Sequence, residues 1–525
     1  MSNEMTIGIW VLGDRLNQAQ SALASCQEQK AQTPVILIES SNYVKQRPYH
    51  QQKLVLVWSA MRHVAEELRA NGWQVTYCIE EDFATPLQEW IAHNNVTELR
   101  ITEPCDRPFA AYIKSLEIDC QLNFVPDNHF LWSHQAFQDW VSSRKRLLME
   151  DFYREGRKRF NILMSGKDPI GGKWNYDKQN RKPPKSNLQT PERIWFKPDK
   201  ITQEVIEWVQ TQKFSSYGAI EPFQWGVTRE QALQALDYFI AECLADFGTY
   251  QDAMVTGEYT MWHGLISPYL NLGLLQPLEV INAVEKAYYD ERPRVAERRL
   301  SSNGDKGTRE FDRELPLNSV EGFIRQVLGW REYMHGLYHY FPADYSQNNW
   351  FEHDRPLPEF FWDASKTDLN CLKQTLTQTE QTGYAHHIQR LMILANFALI
   401  TGINPQEITS WFHSAYIDAY DWVMQTNVIG MGIFADGGKL ASKPYAASAN
   451  YINKMSDYCD NCVYNRRDRT SEKACPFNYF YWDFIARHQD KLKSLGRMNL
   501  ILANLKKIAP EELEVMQKLA NSFKF

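Results

Sequence analysis

The chain has 525 residues, of which 44% are hydrophobic and 23% are charged, and its net charge is −7. Because this length exceeds what one hydrophobic core usually supports, we expect two or three domains. The charge excludes a uniformly basic nucleic-acid-binding protein, although a local basic surface would still attract phosphates. No apolar run reaches about 18 residues, and the first residues indicate a buried strand, so we expect a cytoplasmic protein without a signal peptide or a membrane partner.

The first 135 residues alternate between strand-like and helix-like segments. Four short β-rich runs cover 6–13, 33–40, 72–80 and 97–104. An amphipathic helix is predicted over 54–72, and the whole pattern predicts a doubly wound parallel α/β sheet. Ligands of such sheets bind beyond the carboxyl ends of the strands, which indicates the loops 13–16 and 39–43. There is no GxGxxG motif to favour a dinucleotide, and both loops could also be plain turns.

Residues 136–200 form a predicted connector between domains. Its segment 166–195 is rich in Gly, Pro, Asn and Lys and has no helical or strand period. Loops of this length are usually functional or disordered. Aromatic rings interleaved with cations suit base stacking and phosphate contact, and a solvated linker is the alternative. The candidate DNA-binding residues are Lys173, Trp174, Tyr176, Arg181 and Lys182.

From residue 201 to residue 525, apolar residues recur at helical spacing, which predicts an all-α domain. The predicted helices cover 228–248, 278–289, 320–340, 383–401 and 405–424, followed by a pair at 484–506 and 510–523. Aromatic residues make up 13% of the chain. This content fits either a large packed core or a chromophore pocket with a path for electrons.

Nine cysteines at irregular spacing argue against a disulfide framework. Cys459, Cys462 and Cys475 form a CxxC motif and a Cys-Pro pair, and a tetrahedral metal centre needs a fourth ligand. Cys371, which opens a predicted helix, is the best candidate, whereas Cys243 lies on an apolar helical face. Four thiolates suit zinc or an iron–sulfur cluster, and a single CxxC with two distant cysteines favours a [4Fe–4S] cluster.

Several segments together resemble the cryptochrome/photolyase family. In the helical part these are WHGLISPYLNLGLLQP (262–277), GWREYMHGLYHYFP (329–342), YAHHIQRLMILANFAL (384–399) and DAYDWVMQTNVIGMGIFADGG (418–438). The four cysteines, GGKWNYDKQNRKP (171–183) and KPYAASANYINKMSDYC (443–459) narrow the resemblance to the iron–sulfur bacterial cryptochromes and (6-4) photolyases. The resemblance covers almost the whole chain.

The resemblance implies an antenna domain at 1–135, an interdomain loop at 136–200 and an FAD-binding domain at 201–525. It also implies a [4Fe–4S] cluster on the four cysteines, and 6,7-dimethyl-8-ribityllumazine as the antenna pigment. Polar contacts of that pigment are expected from Asp14, Glu39 and Tyr43. The implied partner is UV-damaged DNA, and we expect a monomer.

The resemblance also implies a set of FAD-site residues. They are Tyr250, His263, Gly264, Leu265, Ile266, Ser267, Gln326, Arg331, Arg390, Asp421 and Asn427. Backbone N–H groups of 263–267 would face the diphosphate. Asp421 is expected at the isoalloxazine edge and Asn427 near flavin N5, while Gln326 could read a flipped base.

Photoreduction requires oxidisable aromatic residues between the flavin and the surface. Trp411 and Trp362 match positions that the resemblance assigns to this path. The residue after Trp411 is Phe412, where relatives can carry the more easily oxidised tyrosine. This departure puts the photoreduction path in doubt, but it does not affect repair by flavin that is already reduced.

His386 and His387 are the candidate catalytic residues. Imidazole titrates near neutral pH, so it can donate a proton to a lesion and recover it. The resemblance assigns catalysis to this pair, with His386 as the expected proton donor and His387 nearer the flavin. The leading hypothesis is light-driven repair of (6-4) photoproducts. The alternatives are a blue-light receptor that signals without repair and a zinc-stabilised nucleic-acid-binding protein without flavin.

Overall fold

Five strands form one parallel sheet near the amino terminus. The computed structural model describes residues 5–184, 188–212, 214–301 and 315–525, with the backbone alone at 291–301. The strands are β1 (Ile7–Trp10), β2 (Pro34–Ser40), β3 (Gln74–Glu80), β4 (Glu98–Thr102) and β5 (Gln121–Val125), and their order in the sheet is β3-β2-β1-β4-β5. The four predicted strands and the parallel sheet are confirmed, whereas β5 was not predicted. Its sequence, QLNFV, is partly polar because it forms an exposed edge.

The centre of the sheet is buried on both faces. All seven residues of β2 are buried, and β1 pairs with both β2 and β4, with Ile9 opposite Val35 and Arg100. The chain therefore continues to one side of β1 with β2 and β3 and to the other side with β4 and β5. The point where the strand order reverses lies at β1 and β4, which is where doubly wound sheets bind ligands.

Helices surround the sheet and make up most of the chain after residue 200. Before residue 200 they are Ser21–Ala24, Ser41–Lys45, Gln51–Ala70, Ala84–His93, Arg107–Lys114, His134–Ser142 and Met149–Phe160. From residue 200 onward they are Lys200–Gln212, Arg229–Tyr238, Leu244–Tyr250, Ser267–Leu272, Pro277–Ser301, Leu317–Ile324, Glu332–Tyr340, Asn370–Thr382, Asn396–Thr401, Pro405–Ala415, Asp421–Met424, Ala449–Met455, Pro476–Arg487, Gln489–Leu492, Asn499–Leu505 and Pro510–Ser522. Within the described ranges, no helix has the length and apolar character needed to cross a membrane.

Several of the helices contain π-helical turns, which often occur at functional sites. The π-helical segments are Phe239–Cys243, Arg325–Arg331, Gln389–Ala395 and Gln425–Gly432. Two predicted helices are corrected by the structure. The segment predicted as one helix over 405–424 is interrupted between Ala415 and Asp421, and the segment 484–506 is divided into shorter helices.

The sheet and the helical region share a hydrophobic core. One cluster joins Ile9 and Val35 of the sheet to Phe239 and Leu275 of the helical region. A second cluster lies wholly outside the sheet and includes Trp411 together with many other apolar residues. Side chains of both parts also meet beyond the carboxyl ends of the strands, where Asp14 and Tyr420 line the same cavity.

Candidate functional sites

The two predicted histidines lie beside the predicted phosphate-binding turn. His386 is only 1% exposed, and its ring stacks on that of His263 with centroids 4.4 Å apart and planes 11° apart. Its backbone N–H donates to Oε1 of Gln389 at 3.1 Å, which caps the helical segment that follows. His387, the next residue, is exposed.

Buried ring nitrogens of the histidine cluster lack hydrogen-bond partners within the described residues. Among the residues that the structure describes, neither ring nitrogen of His386 has a hydrogen-bond partner, and Nε2 of His263 also lacks one. Burial lowers the pKa of His263 to about 3, so this ring is neutral at pH 7. Buried polar atoms normally find partners. The cluster therefore fits a bound group that carries hydrogen-bonding atoms.

An ion pair adjoins this cluster. Arg390 donates to the two carboxylate oxygens of Asp418 at 2.9 and 3.2 Å, and Oγ of Ser267 donates to the same carboxylate at 2.7 Å. The guanidinium lies 3.8 Å from the ring centroid of Tyr416. The sequence indicates no role for Asp418 or Tyr416, which lie where the helix predicted over 405–424 is interrupted. The DAYD sequence contains both Asp418 and Asp421, and the resemblance points only to Asp421.

The turn before Ser267 is held from outside by Arg193 of the interdomain loop. Nη2 of Arg193 donates to the carbonyl of Thr260 at 3.2 Å and also to that of His263. Trp262, at the start of the turn, stacks on Tyr250 with ring centroids 5.0 Å apart. The turn thus places His263 and Ser267 on the site, and the predicted residues Gly264, Leu265 and Ile266 connect them.

Two predicted flavin residues lie at the junction with the sheet instead. Arg331 pairs with Glu332 at 3.2 Å and contacts Nε2 of His129 at 2.8 Å. Asp421 accepts hydrogen bonds from Tyr338 at 2.6 Å and from Gln425 at 2.8 Å. Their predicted roles beside the flavin stay predictions.

Gln326 and Asn427 are engaged by their own helices. The amide of Gln326 donates to the carbonyl of Gly322 at 3.2 Å, and the amide of Asn427 donates to that of Val423 at 2.8 Å. Both bonds span four residues of a helix. Their predicted roles toward a base and toward flavin N5 stay predictions.

A row of aromatic rings leads away from the ion pair. Tyr416 lies 5.8 Å from the ring of Trp411, which is fully buried and donates its indole N–H to the carbonyl of Phe361 at 2.8 Å. Trp362, which follows Phe361 in the chain, is 38% exposed. The predicted residues Trp411 and Trp362 therefore lie at the buried and exposed ends of one aromatic region, and Phe412 packs beside Trp411 at 5.2 Å.

The four predicted cysteines converge on one small enclosed space. Cys371, Cys459, Cys462 and Cys475 line one small cavity together with Tyr458 and apolar side chains. All four are free thiols. Burial, followed by the proximity of the other three cysteines, raises the pKa of the Cys371 thiol. A bound cation would offset this mutual repulsion, so the donor set fits a metal centre.

Four thiols at one cavity are a donor set for a zinc ion or for an iron–sulfur cluster. The donor set therefore fits both alternatives named from the sequence.

A second cavity, of about 140 Å³, lies where the strand order of the sheet reverses. Its lining includes Gly13, Asp14, Ile38, Ser40, Tyr43, Lys53, Asp106, His413 and Tyr420. The first loops after β1 and β2 therefore form a pocket, as the sequence predicts, and the helical region contributes His413 and Tyr420 to it. A concave site with an apolar lining and a few polar groups suits a small organic molecule.

Glu39, which the sequence places with Asp14 and Tyr43, does not line this cavity. Its neighbours Ile38 and Ser40 face the cavity, so Glu39 points to the opposite face of the strand. There it pairs with Arg62 at 2.8 Å and accepts a hydrogen bond from Tyr77. The charged groups in the cavity are instead Asp14, Asp106 and Lys53.

Burial shifts the pKa values of two of these cavity groups to near 7. Burial and the nearby Asp421 raise the pKa of Asp106 to about 7, and burial followed by Arg47 lowers the pKa of Lys53 to about 7. The Lys53 ammonium also donates to the carbonyl of Ala419 and lies 5.1 Å from the ring centroid of Tyr420. The cavity can thus match a polar, uncharged ligand with both donors and acceptors.

The predicted basic loop packs on the helical region. Asn180 is fully buried and exchanges two hydrogen bonds of 2.9 Å with Asn318, and the backbone N–H of Tyr176 donates to Glu321 at 2.9 Å. Lys173, Arg181 and Lys182 remain exposed. The interpretation as a solvated linker is therefore not needed for residues 171–184, while residues 185–187 lie outside the described residues.

Trp174 brings further cations to this surface. Its ring lies 5.7 and 5.4 Å from the charged groups of Arg154 and Lys158, whereas Arg157, also at 5.4 Å, is buried. These residues lie on the helix Met149–Phe160, which the sequence did not indicate as basic surface. The loop and this helix together present aromatic and cationic groups in the combination that binds nucleic-acid strands.

An α/β domain joined to a helical domain, with a histidine site and a four-cysteine centre, is the architecture of a photolyase. The model of the deoxyribodipyrimidine photo-lyase-related protein family matches residues 9–225. A (6-4) photolyase of Agrobacterium fabrum is 42% identical over 498 residues, which cover 93% of each chain. The chain therefore belongs to the photolyase family.

Two further comparisons show a shared fold and a partial sequence match. The crystal structure of a bacterial class III photolyase from Agrobacterium tumefaciens shares the fold, with a TM-score of 0.55, 17% identity, and coverage of 94% of this chain and 92% of that chain. An uncharacterised protein of Acanthamoeba polyphaga mimivirus is 35% identical over 130 residues, which cover 25% of this chain and 98% of that protein.

Proposed function

We propose that this chain is a light-driven (6-4) photolyase, which restores intact pyrimidines from (6-4) pyrimidine–pyrimidone photoproducts in DNA. The observation that carries this proposal is the 42% identity, over 93% of both chains, to a protein named as a (6-4) photolyase. A cluster of polar side chains supports it, because these groups can bind a polar cofactor and donate or accept a proton at the same site. The cluster consists of His263, His386, His387, Arg390 and Asp418.

Membership of the photolyase family implies FAD. The residues that would hold it are His263, Ser267, His386, Arg390 and Asp418, since they combine unpartnered buried nitrogens with a charged pair. Bound FAD, in its reduced form and excited by light, supplies an electron to the lesion. The protein itself binds and orients both partners, and it places proton donors at the reacting bases.

His387 is the member of the histidine pair that we assign to the lesion. It is exposed, whereas His386 is buried against His263. This division reverses the roles expected from the sequence. Reversal of the photoproduct requires a proton together with return of the shifted hydroxyl or amino group, and His387 provides a ring N–H within a partly desolvated site. His386 then orients groups on the inner side.

We also propose that the four cysteines bind a [4Fe–4S] cluster, as their spacing supports. The cluster would join Cys371, at the start of the helix Asn370–Thr382, to the segment 459–475. Linking such distant segments contributes free energy of folding without any redox change. A structural role is therefore the simplest one for this centre.

The cavity at the sheet is our candidate site for the antenna pigment 6,7-dimethyl-8-ribityllumazine. Asp14, Tyr43, Lys53 and Asp106 supply hydrogen-bonding groups for such a polar ring system and its hydroxylated chain. The exposed cations of the loop 171–184 and of the helix Met149–Phe160 are the candidate contacts to DNA phosphates.

Product analysis tests the proposed function directly. The reduced protein is incubated with an oligonucleotide that carries one (6-4) photoproduct, under blue light and in the dark. We expect intact pyrimidines only under light, and we expect His387→Ala to bind the same oligonucleotide without repairing it. A protein that absorbs light and binds flavin but restores no pyrimidines in either condition would contradict the proposal and would instead favour a light receptor.

A further inference from the structure

Three histidines meet at the junction between the sheet and the helical region. The metal-ligating nitrogens of His134, His335 and His339 all lie within 4.8 Å of one another. His335 and His339 are four residues apart on the helix Glu332–Tyr340, so they share one face of that helix. His134 is the first residue of the helix His134–Ser142, which approaches from the other side.

The inner atoms of this group lack partners. His335 is 3% exposed, and within the described part of the chain Nε2 of His335 and Nε2 of His339 have no hydrogen-bond partner. Buried polar atoms normally find partners, so these two nitrogens point to a bound group.

Ring packing accounts for only part of this arrangement. His335 stacks on Phe130 with centroids 3.4 Å apart, and the rings of His134 and His339 have centroids 3.9 Å apart. Packing explains why the rings lie close together, but it does not explain two buried nitrogens without partners. A carboxylate is also at hand, since Oε1 of Glu103 lies 3.8 Å from Nδ1 of His134.

We propose that His134, His335 and His339 bind a Zn²⁺ ion at the domain junction. Three neutral imidazoles are a common ligand set for zinc, and Glu103 or water can take the fourth position. Two ligands one helical turn apart and a third from a separate element match the way helices present such sites. This proposal does not depend on the flavin, on the cysteine centre or on the repair of DNA.

The ion would hold the two parts of the molecule together. His134 follows the sheet domain, and Glu103 lies directly after β4, whereas His335 and His339 belong to the helical region. A ligand that binds only the folded arrangement stabilises it. Zn²⁺ is therefore expected to raise the thermal midpoint of the holoprotein by several degrees.

Metal analysis with matched variants tests the site. The as-purified holoprotein, His339→Gln, His134→Gln and the control His93→Gln are equilibrated with Zn²⁺ and dialysed, and zinc per chain is then measured. His93 is an exposed histidine on the helix Ala84–His93. We expect one zinc per chain in the wild-type protein and in His93→Gln, and at least tenfold weaker binding in the other two variants. Equal retention by all four proteins, or no retention by any, would overturn the proposal.

A spectroscopic measurement on the unmodified protein covers the case in which a variant fails to fold. One equivalent of Cu²⁺ is added as a probe, and its electron paramagnetic resonance spectrum is recorded. Nitrogen splitting from three imidazoles supports the site. A spectrum dominated by thiolate or by oxygen ligands would place the metal elsewhere and overturn the assignment, whatever the cysteine centre holds.

Discussion

Arg390 and Asp418 form a two-point ion pair, with nitrogen–oxygen distances of 2.9 and 3.2 Å, beside the stacked rings of His263 and His386. The same carboxylate accepts a hydrogen bond from Ser267. Three segments that are far apart in the sequence therefore meet at one pair of charges. Because the pair is largely buried, removing one charge leaves the other without compensation.

Asp418→Asn is expected to lower the free energy of unfolding by about 3 kcal/mol, because it leaves the Arg390 guanidinium unpaired. Flavin content should fall with it. The matched control is Asp421→Asn, since Asp421 lies three residues away at the domain junction and raises the pKa of Asp106. Flavin absorbance per chain and thermal denaturation measure both variants. A flavin-free Asp421→Asn beside a flavin-replete Asp418→Asn would reverse our assignment.

His387→Ala is expected to reduce the repair rate by at least about 100-fold, the usual effect of removing a general acid or base. Binding of lesion-containing DNA should change only a few-fold. His386→Ala should in addition alter the flavin absorption spectrum, because His386 is buried on the inner side of the pair. Single-turnover repair and binding titrations distinguish the two variants, with His93→Ala as the control. Full repair by His387→Ala would exclude it as the proton donor.

Cys475→Ala is expected to reduce the iron content and the thermal midpoint together. The thiol of Cys475 is one of four that line the same cavity, so the segment 459–475 would lose its link to the helix Asn370–Thr382. Cys120→Ala removes a half-buried thiol outside this cavity and is expected to keep its iron. Iron analysis and scanning calorimetry provide the readout. A Cys475→Ala protein with unchanged stability but lost photochemistry would argue against a structural centre.

The stability of the fold should fall in mild acid partly through His50. This side chain is fully buried, and burial lowers its pKa from 6.5 to about 4. The folded chain keeps the ring neutral, while the unfolded chain protonates it below pH 6.5. Stability is therefore complete above pH 6.5 and falls as the pH drops toward 4, by about 3 kcal/mol for this group.

Denaturant unfolding between pH 7 and pH 4.5 measures this effect. His50→Gln should be less stable than the wild-type protein at pH 7, because His50 joins Gln52 to the carbonyl of Glu380. Its stability should nevertheless depend less on pH. The control His93→Gln changes an exposed residue and should retain the wild-type slope. Parallel curves for His50→Gln and the wild-type protein would contradict the argument.

Trp411→Phe is expected to slow the photoreduction of oxidised flavin by at least about tenfold, because phenylalanine is much harder to oxidise. Repair by chemically reduced flavin should continue, since that step needs no electron from the protein. Trp208→Phe, at the stacked pair with Phe214 far from this region in the sequence, is the control. Illumination with an external reductant follows the reaction by absorbance. Unchanged photoreduction would assign the path to other aromatic residues.

The four predicted strands, the parallel sheet and the helical character after residue 200 followed from local patterns. Alternating and helical periodicity depend on which face of an element is buried, and this information lies within a few consecutive residues. The edge strand β5 was missed because its outer positions are polar. The cysteine set was predictable because its residue type and spacing are unusual, and the structure brings all four thiols to one cavity.

The choice between similar residues could not be made from the sequence. Asp418 and Asp421 differ by three positions, yet one meets Arg390 and the other meets Tyr338 at the domain junction. Glu39 and Ser40 differ by one position, yet only Ser40 lines the cavity. In each case the direction of the side chain depends on a helix interruption or on the alternation of a strand.

The sequence by itself determined the fold class, because periodicity carries it. Through residue type and spacing it also indicated the four cysteines and the histidine pair as candidate site residues. Only the tertiary structure decided which carboxylate pairs with Arg390, and only it brought His134 beside His335 and His339. Contacts between residues some 200 positions apart arise when buried surfaces of separate elements pack against each other. No local pattern in the chain records which side chains that packing will bring together.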